Sequence, residues 1–372
     1  MVVIPRERSD RGPAPSVVEG IQCAGLVFGH DQQTKDPSLT LGMTTMPNAT
    51  VRAAVVQAAP VAFDREFTLA KVRQLTREAA AKGAALVVFP EAFVSAYPRG
   101  MTFGAVVGNR TPEGREWYRR YWESSVEIPG DAITTLGDIA RESSTHLIIG
   151  VIERDGGTLY CTAVFIAPDG EYLGKHRKLV PTASERLVWG YGDGSTMPVF
   201  DTPIGKLGAA ICWENYMPLY RTALYAKGVQ IYVAPTADSR DGWIASMRHI
   251  ALEGRCFVLS SNQFARRRDY PADYPSDFPA DPDAIVTRGG SCIVNPLGEL
   301  VAGPVYDEEC ILTADLDLND VVRGKFDLDT VGHYARPDVF ELVVNERPAV
   351  GVRVISSDSA AEVSVLRDAS TG

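Results

Sequence analysis

The chain has 372 residues with a formal net charge of −10, which removes the basic surface that phosphate binding needs and so excludes a nucleic-acid partner. Hydrophobic residues make up 45% and charged residues 23%, as in a soluble α/β protein with a packed core, and the apolar runs are too short to span a bilayer. The six cysteines are scattered without a Cys-x-x-Cys pair or a Cys/His cluster, so neither a disulfide framework nor a metal site is expected, and free thiols point to a cytoplasmic location.

Residues 1–48 carry Arg-Glu-Arg-Ser-Asp-Arg-Gly-Pro (6–13) and Asp-Gln-Gln-Thr-Lys-Asp-Pro-Ser (31–38) without periodicity and read as a disordered extension. From there the pattern is regular. Val51–Ala58 reads as a buried strand, Phe67–Lys82 as a helix closed by Gly83, and Ala85–Glu91 as a second apolar strand with a carboxylate at its end. Asp131–Ser143 is a predicted helix and His146–Ile152 a strand. Leu159–Ala167 and Gly170–His176 form a predicted hairpin about Pro-Asp-Gly. Lys206–Cys212 reads as a strand, Leu219–Gly228 as a helix, Val229–Ala234 as a strand, Trp243–Arg255 as a helix and Cys256–Asn262 as a strand. Tyr270–Asp283, rich in Pro and Asp, reads as a surface loop; a hairpin about Pro-Leu-Gly-Glu and a strand at Glu309–Leu316 follow. Residues 348–372 read as a flexible tail or interface arm, which leaves one domain at 49–347. The mixture of helix-linked strands and hairpins implies mixed sheets with helices outside.

Three polar residues stand at ends of apolar strands, where α/β folds gather their ligands. Glu91 follows Val-Val-Phe-Pro, Lys178 lies in Gly-Lys-His-Arg-Lys-Leu-Val-Pro-Thr (174–182), and Cys212 ends Gly-Ala-Ala-Ile-Cys. A desolvated carboxylate can take a thiol proton and a lysine can hold a developing anion, so the three make a thiol nucleophile without histidine. Each also has an ordinary structural reading: a turn for Glu91, a solvated basic run for Lys178, a small core residue for Cys212.

These segments, in this order, resemble the three signature motifs of the nitrilase superfamily. Glu-Arg-Leu-Val-Trp-Gly-Tyr-Gly-Asp-Gly-Ser-Thr (185–196), Ala-Pro-Thr-Ala-Asp-Ser-Arg (234–240), Met-Arg-His-Ile-Ala-Leu-Glu-Gly-Arg-Cys-Phe-Val (247–258) and Tyr-Pro-Arg-Gly (97–100) resemble its nitrile-hydrolysing branch. The resemblance covers about residues 50–345. It implies an α-β-β-α sandwich of two mixed sheets with outer helices, a homodimer or larger, even spiral, assembly, and no cofactor. It further implies Glu91 as general base, Lys178 as catalytic lysine, Cys212 as nucleophile and Glu185 as a second glutamate. The substrate is then a small nitrile, hydrolysed to acid and ammonia with an amide by-product possible.

Tyr97, Trp213 and Thr236 are the expected substrate-contacting residues, with pocket shape set by loops near 97–125 and 188–200. Glu214 and Asn215 are expected to cap the next helix, and His249 to be buried. Cys161, Cys256 and Cys292 are expected in the core, and Tyr220, Arg221 and Leu224 near a dimer seam. Competing readings are an amidase, carbamoylase or hydratase on the same fold (for example one acting on β-cyanoalanine), a Cys-His protease using Cys212 with His249 or His333, and a non-catalytic filament scaffold.

Overall fold

The structure, a computed structural model, describes residues 50–352. The strands in chain order are β1 (Thr50–Gln57), β2 (Leu86–Val88), β3 (Ala105–Val106), β4 (Asn109–Arg110), β5 (His146–Asp155), β6 (Thr158–Ile166), β7 (Tyr172–Arg177) and β8 (Val199–Thr202). They continue with β9 (Gly205–Ala209), β10 (Ile231–Val233), β11 (Phe257–Ser260), β12 (Phe264–Arg266), β13 (Ile285–Val294), β14 (Leu300–Tyr306) and β15 (Cys310–Asp317). The helices are α1 (Arg65–Ala81), α2 (Pro112–Ser124), α3 (Asp131–Ser143), α4 (Pro218–Ala226), α5 (Asp241–Gly254) and α6 (Asn319–Asp327).

Strand periodicity sorts the apolar residues into three layers. In β1, Val51, Ala53 and Val55 pack inward with Leu86, Val88, Ile148, Ala163 and Phe165, and against Leu207, Ile231, Val233, Phe257 and Ile293 of the facing sheet. Ala54 and Val56 point the other way, under Leu69 and Val72 of α1 and Leu136 and Ile139 of α3. On the far side, Tyr232, Val258 and Val294 lie beneath Leu224 of α4 and Trp243, Met247 and Ile250 of α5. The result is the expected α-β-β-α sandwich. One sheet has strand order β15-β1-β2-β5-β6-β7 and the other β12-β13-β11-β10-β9-β8, with β14 on β13. Both are mixed: β1-β2-β5 and β9-β10-β11 are parallel, the remaining pairs antiparallel.

The expected elements are present, with ends shifted by a few residues. The strand read as Lys206–Cys212 stops at Ala209, because the chain turns into a single 3-10 turn over Cys212–Tyr216. Helix α2 was not foreseen: it buries only Gly114, Tyr121 and Ser124, so its apolar stripe is too sparse to stand out. The 270–283 segment is a loop, but not merely a surface one. Tyr270 and Tyr274 are buried in an aromatic cluster with Phe63, Trp117 and Phe278. His249 is exposed rather than buried, its Nε2 3.9 Å from Glu253. Tyr220, Arg221 and Leu224 are already buried within the chain, Arg221 pairing with Glu253 at 2.7 Å. The expectations for residues 1–48, and for the tail beyond Val352, lie outside the described residues. Among the described residues no helix is long and apolar enough to cross a membrane.

Candidate active site

Glu91 lies three residues past the end of β2, on a backbone pinned from two sides. Gln263 Nε2 donates to the Glu91 carbonyl at 2.8 Å. Gly150 of β5 sits so close that an added Cβ would lie 2.3 Å from Pro90 O and 2.7 Å from Glu91 Cα. Ala92, Ser95 and Ala96 just beyond have positive φ, a concentration of strained backbone of the kind that collects at functional sites.

The carboxylate is wholly buried. Its Oε1 accepts from Lys178 Nζ at 2.7 Å and from the Cys161 thiol at 3.5 Å. Its Oε2 has no hydrogen-bond partner among the described residues. The Cys212 thiol approaches closely enough to lower the carboxyl's proton affinity without closing a formed hydrogen bond. Burial outweighs this and the Lys178 charge, and holds Glu91 above the ordinary carboxylate range.

Lys178 directly follows β7. Its backbone is fixed by Lys178 N–H to Cys161 O and by Gly192 N–H to Lys178 O, both 2.8 Å. Gly192 explains part of the Trp-Gly-Tyr-Gly-Asp-Gly run: a Cβ there would meet Arg177 O at 2.2 Å. Lys178 Nζ also donates to Glu185 Oε2 at 2.8 Å. Glu185 is aimed by Tyr97 OH at 2.7 Å and by the Thr182 N–H at 2.6 Å. Burial opposes the ammonium charge, but Glu91, Cys212, Cys161 and Glu185 together push its pKa well above the usual lysine value.

Cys212 opens the 3-10 turn with φ of 52°, a left-handed conformation that costs a non-glycine residue on the order of 1 kcal/mol or more. Three bonds hold it there. Cys212 N–H donates to Pro235 O at 2.9 Å, and Asn215 Nδ2 donates to both Ala210 O and Cys212 O at 2.8 Å. The next amide, Trp213 N–H, has no acceptor among the described residues. Thr236 Oγ1 donates to the sulfur at 3.3 Å. Burial and the Glu91 charge raise the thiol pKa, with Lys178 and Thr236 opposing, so the resting group is a thiol.

A cavity of about 230 Å³ opens onto Cys212, walled by Tyr97, Arg99, Glu185, Trp213 and Arg240 among others. Tyr97 and Trp213 are therefore on its wall, whereas Thr236 is in contact with the sulfur and does not line it. Trp213 is held by Nε1–H to Asp238 Oδ2 at 2.9 Å, with the Arg240 guanidinium 4.9 Å above its ring. Arg99 went unremarked within Tyr-Pro-Arg-Gly. Its Nη2 donates to Ala237 O at 2.6 Å, while Nε is buried without an acceptor and no carboxylate pairs with it among the described residues. Tyr270 and Tyr274 brace this segment through hydroxyls bonded to the Tyr97 and Arg99 carbonyls.

Two further expectations are corrected, and Cys161 gains a contact. Glu214 and Asn215 do not cap α4, which has no side-chain cap; Glu214 accepts from the Ile211 and Leu179 amides and Asn215 braces Cys212. Cys161 is a core residue by burial, yet it touches Glu91. No histidine hydrogen-bonds Cys212 among the described residues, and His249 and His333 are exposed, which removes the Cys-His protease reading. No group of three or more His, Cys, Asp or Glu is arranged to hold a metal ion among the described residues.

The model of the carbon-nitrogen hydrolase family matches residues 52–326. The chain belongs to the carbon-nitrogen hydrolase family. Among relatives of this hydrolase, the bifunctional nitrilase/nitrile hydratase NIT4B of Nicotiana tabacum is 53% identical over 95% of the chain and 98% of its own length. The aliphatic nitrilase of Sinorhizobium fredii is 58% identical over 81% of the chain and 97% of its own. Nitrilase 2 of Arabidopsis thaliana is 55% identical over 84% and 94%. Among solved structures, a carbon-nitrogen hydrolase from Helicobacter pylori superposes with a TM-score of 0.62 at 23% identity, covering 78% of this chain and 97% of that one. Nit3 of Saccharomyces cerevisiae does so at 0.60 and 22%, covering 77% and 96%. These two share the fold.

Proposed function

We propose that this hydrolase is a nitrilase that converts a small organic nitrile to its carboxylic acid and ammonia, with Cys212 as nucleophile, Glu91 as general base, and Lys178 and Glu185 completing the set. The observation that carries the reading is the buried Glu91–Lys178 pair, whose carboxylate keeps Oε2 without a hydrogen-bond partner among the described residues and lies close enough to the Cys212 thiol to feel it. The resting thiol passes its proton to Glu91 Oε2 as sulfur attacks the nitrile carbon. The Lys178 ammonium and the open Trp213 N–H receive the charge on nitrogen, giving a thioimidate. Glu91 returns that proton to the nitrogen and is free again as a base; it then takes a proton from water, which adds to the same carbon, and the water's protons pass on to the leaving nitrogen. Breaking C–N expels ammonia and leaves a thioester, and a second water releases the acid and restores the thiol. Breaking C–S at the tetrahedral stage releases an amide instead, and the Nicotiana tabacum relative is named as both nitrilase and nitrile hydratase.

The cavity is small, below the range of about 300–1,000 Å³ common for drug-sized ligands, which favours a short nitrile. Arg99 favours one that carries a carboxylate, because the site otherwise pairs its charges internally and its buried Nε is free to donate. One domain at 49–347, assembled as a homodimer or a larger, even spiral, oligomer in the cytoplasm, belongs to the same reading. The outward-facing Leu219 of α4 supports such a seam.

The test is ammonia and amide release on a panel of nitriles: short neutral, equally short carboxylate-bearing, and aromatic. We expect turnover of the short ones, the carboxylate-bearing nitrile best, and no ammonia from Cys212→Ala. Turnover of amides alone would refute the nitrilase reading. Equal KM values for the carboxylate-bearing nitrile in wild type and Arg99→Gln would refute the Arg99 assignment only.

A further inference from the structure

His176 stands two residues before Lys178 and is buried with every ring contact on an acceptor. Nδ1 lies 2.6 Å from Thr196 O. A carbonyl only accepts, so Nδ1 carries a hydrogen. Nε2 lies 2.8 Å from Glu214 Oε2 and 3.1 Å from the Tyr220 hydroxyl oxygen. The Tyr220 hydrogen is already used, since that hydroxyl donates to Ala209 O at 2.6 Å. Glu214 also receives the Ile211 N–H on Oε2 at 2.8 Å and the Leu179 N–H on Oε1, so both of its oxygens already act as acceptors. Nε2 therefore carries a hydrogen as well.

The same carboxylate spans the two halves of the site. Leu179 adjoins Lys178 in the chain, and Ile211 adjoins Cys212. Glu214 thus ties the strand that delivers the lysine to the turn that delivers the thiol, and His176 completes its hydrogen bonding and neutralises its charge.

We propose that His176 is a lasting imidazolium whose buried ion pair with Glu214 fixes Lys178 and Cys212 relative to each other, which makes His176 and Glu214 positioning residues for the reaction. The proposal rests on the roles given to Lys178 and Cys212 above. The titratable groups facing the ring are Glu214 from the Cys212 turn and Tyr220 from α4; the third contact is the Thr196 carbonyl. Burial opposes the imidazolium charge, but Glu214 and the Thr196 carbonyl raise its pKa above the ordinary histidine value. A buried pair of this kind adds little net stability, since desolvation offsets the attraction, so its consequence is geometric.

The test starts with the intact protein labelled with ¹⁵N-histidine; the chain has only five histidines. At about pH 8, well above the ordinary histidine pKa of about 6.5, both ring nitrogens of His176 are expected at imidazolium shifts, each as an N–H doublet. The signal is assigned by its loss in His176→Asn. An unprotonated nitrogen on His176 at that pH overturns the proposal. In turnover, His176→Asn and Glu214→Gln are each expected to lower kcat about tenfold or more with KM within about twofold, because misplacement acts on the transition state. The double variant is expected to lose no more than the worse single one, since the two side chains act as a unit. Unchanged kcat in either single variant overturns the proposal. Should the variants fail to fold, the His176 signal is assigned by substituting the other four histidines in turn, and the wild-type spectrum decides; it needs no substrate, so a failed nitrile assay leaves it standing.

Discussion

Lys178 Nζ sits 2.7 Å from Glu91 Oε1 and 2.8 Å from Glu185 Oε2, one ammonium between two carboxylates with the Glu91 side chain fully shielded from water. The arrangement occupies one oxygen of Glu91 and leaves the other without a hydrogen-bond partner among the described residues. Each part of it has a measurable consequence.

Glu91→Gln keeps the shape but cannot accept the thiol proton. We expect kcat for ammonia release to fall by about 10²–10⁴-fold, the usual contribution of a general base. The variant should also melt lower, because Lys178 loses one of its two anionic partners in a buried site. Ammonia assay and calorimetry check both. Retained kcat would move the base elsewhere.

The pH profile follows from the direction of the Glu91 shift. Burial raises its pKa in the folded protein, so the native state holds this proton more tightly than the unfolded chain does. The stability cost of ionising it therefore grows as pH climbs from its ordinary value of 4.5 through its folded pKa. In activity, kcat/KM is expected to rise with pH along a limb that lies above 4.5, when Glu91 ionises. Lys178→Met removes the largest influence holding that pKa down and should move the limb of any residual activity further upward. A wild-type limb at or below 4.5 contradicts the assignment.

Tyr97→Phe deletes only the hydroxyl that donates to Glu185 Oε1 at 2.7 Å. The ring stays against Trp189, so folding should be almost intact. Losing one hydrogen bond to a charged group is worth about 1.5–3 kcal/mol, which converts to roughly a ten- to hundredfold loss if it acts through Lys178 placement. Steady-state kinetics with a short nitrile measure it. An effect confined to KM would instead assign the hydroxyl to substrate binding.

Much of this was legible in the sequence. Glu91 and Cys212 follow apolar runs whose strand character is visible in the chain itself, and β2 and β9 each lie in a parallel run of their own sheet. Helical stripes as dense as Leu69 and Val72 in α1 were equally plain. What stayed hidden depends on partners far away in sequence. Cys161 touches Glu91 across 70 positions, and His176 reaches Glu214 across 38. Glu214 looked like a helix cap because a carboxylate two residues past a strand-end cysteine usually meets the next helix; here the left-handed Cys212 turns it back toward β7. His249 has apolar neighbours in sequence but lies on the outer side of α5, a rotation the spacing left open.

Gly150 gives the sharpest test of how the fold places the base. It lies in the middle of β5, where glycine weakens a strand and any β-branched residue would be preferred. The reason for it is the Glu91 backbone, which would stand 2.3–2.7 Å from an added Cβ at Pro90 O, Ala92 N and Glu91 Cα. All three contacts are backbone, so none can yield by a side-chain rotation. Gly150→Ala must push the 90–92 segment outward, at a cost of about 1–3 kcal/mol for overpacking. That displacement carries Glu91 away from both Lys178 and Cys212 while leaving every catalytic side chain chemically intact. We expect a folded protein with a melting temperature a few degrees lower and a kcat reduced on the order of a hundredfold, since a misplacement near 1 Å has that effect. Circular dichroism and ammonia release measured on the same preparation check it. Normal kcat in a folded Gly150→Ala variant would mean that the position of the Glu91 backbone is not what limits the reaction.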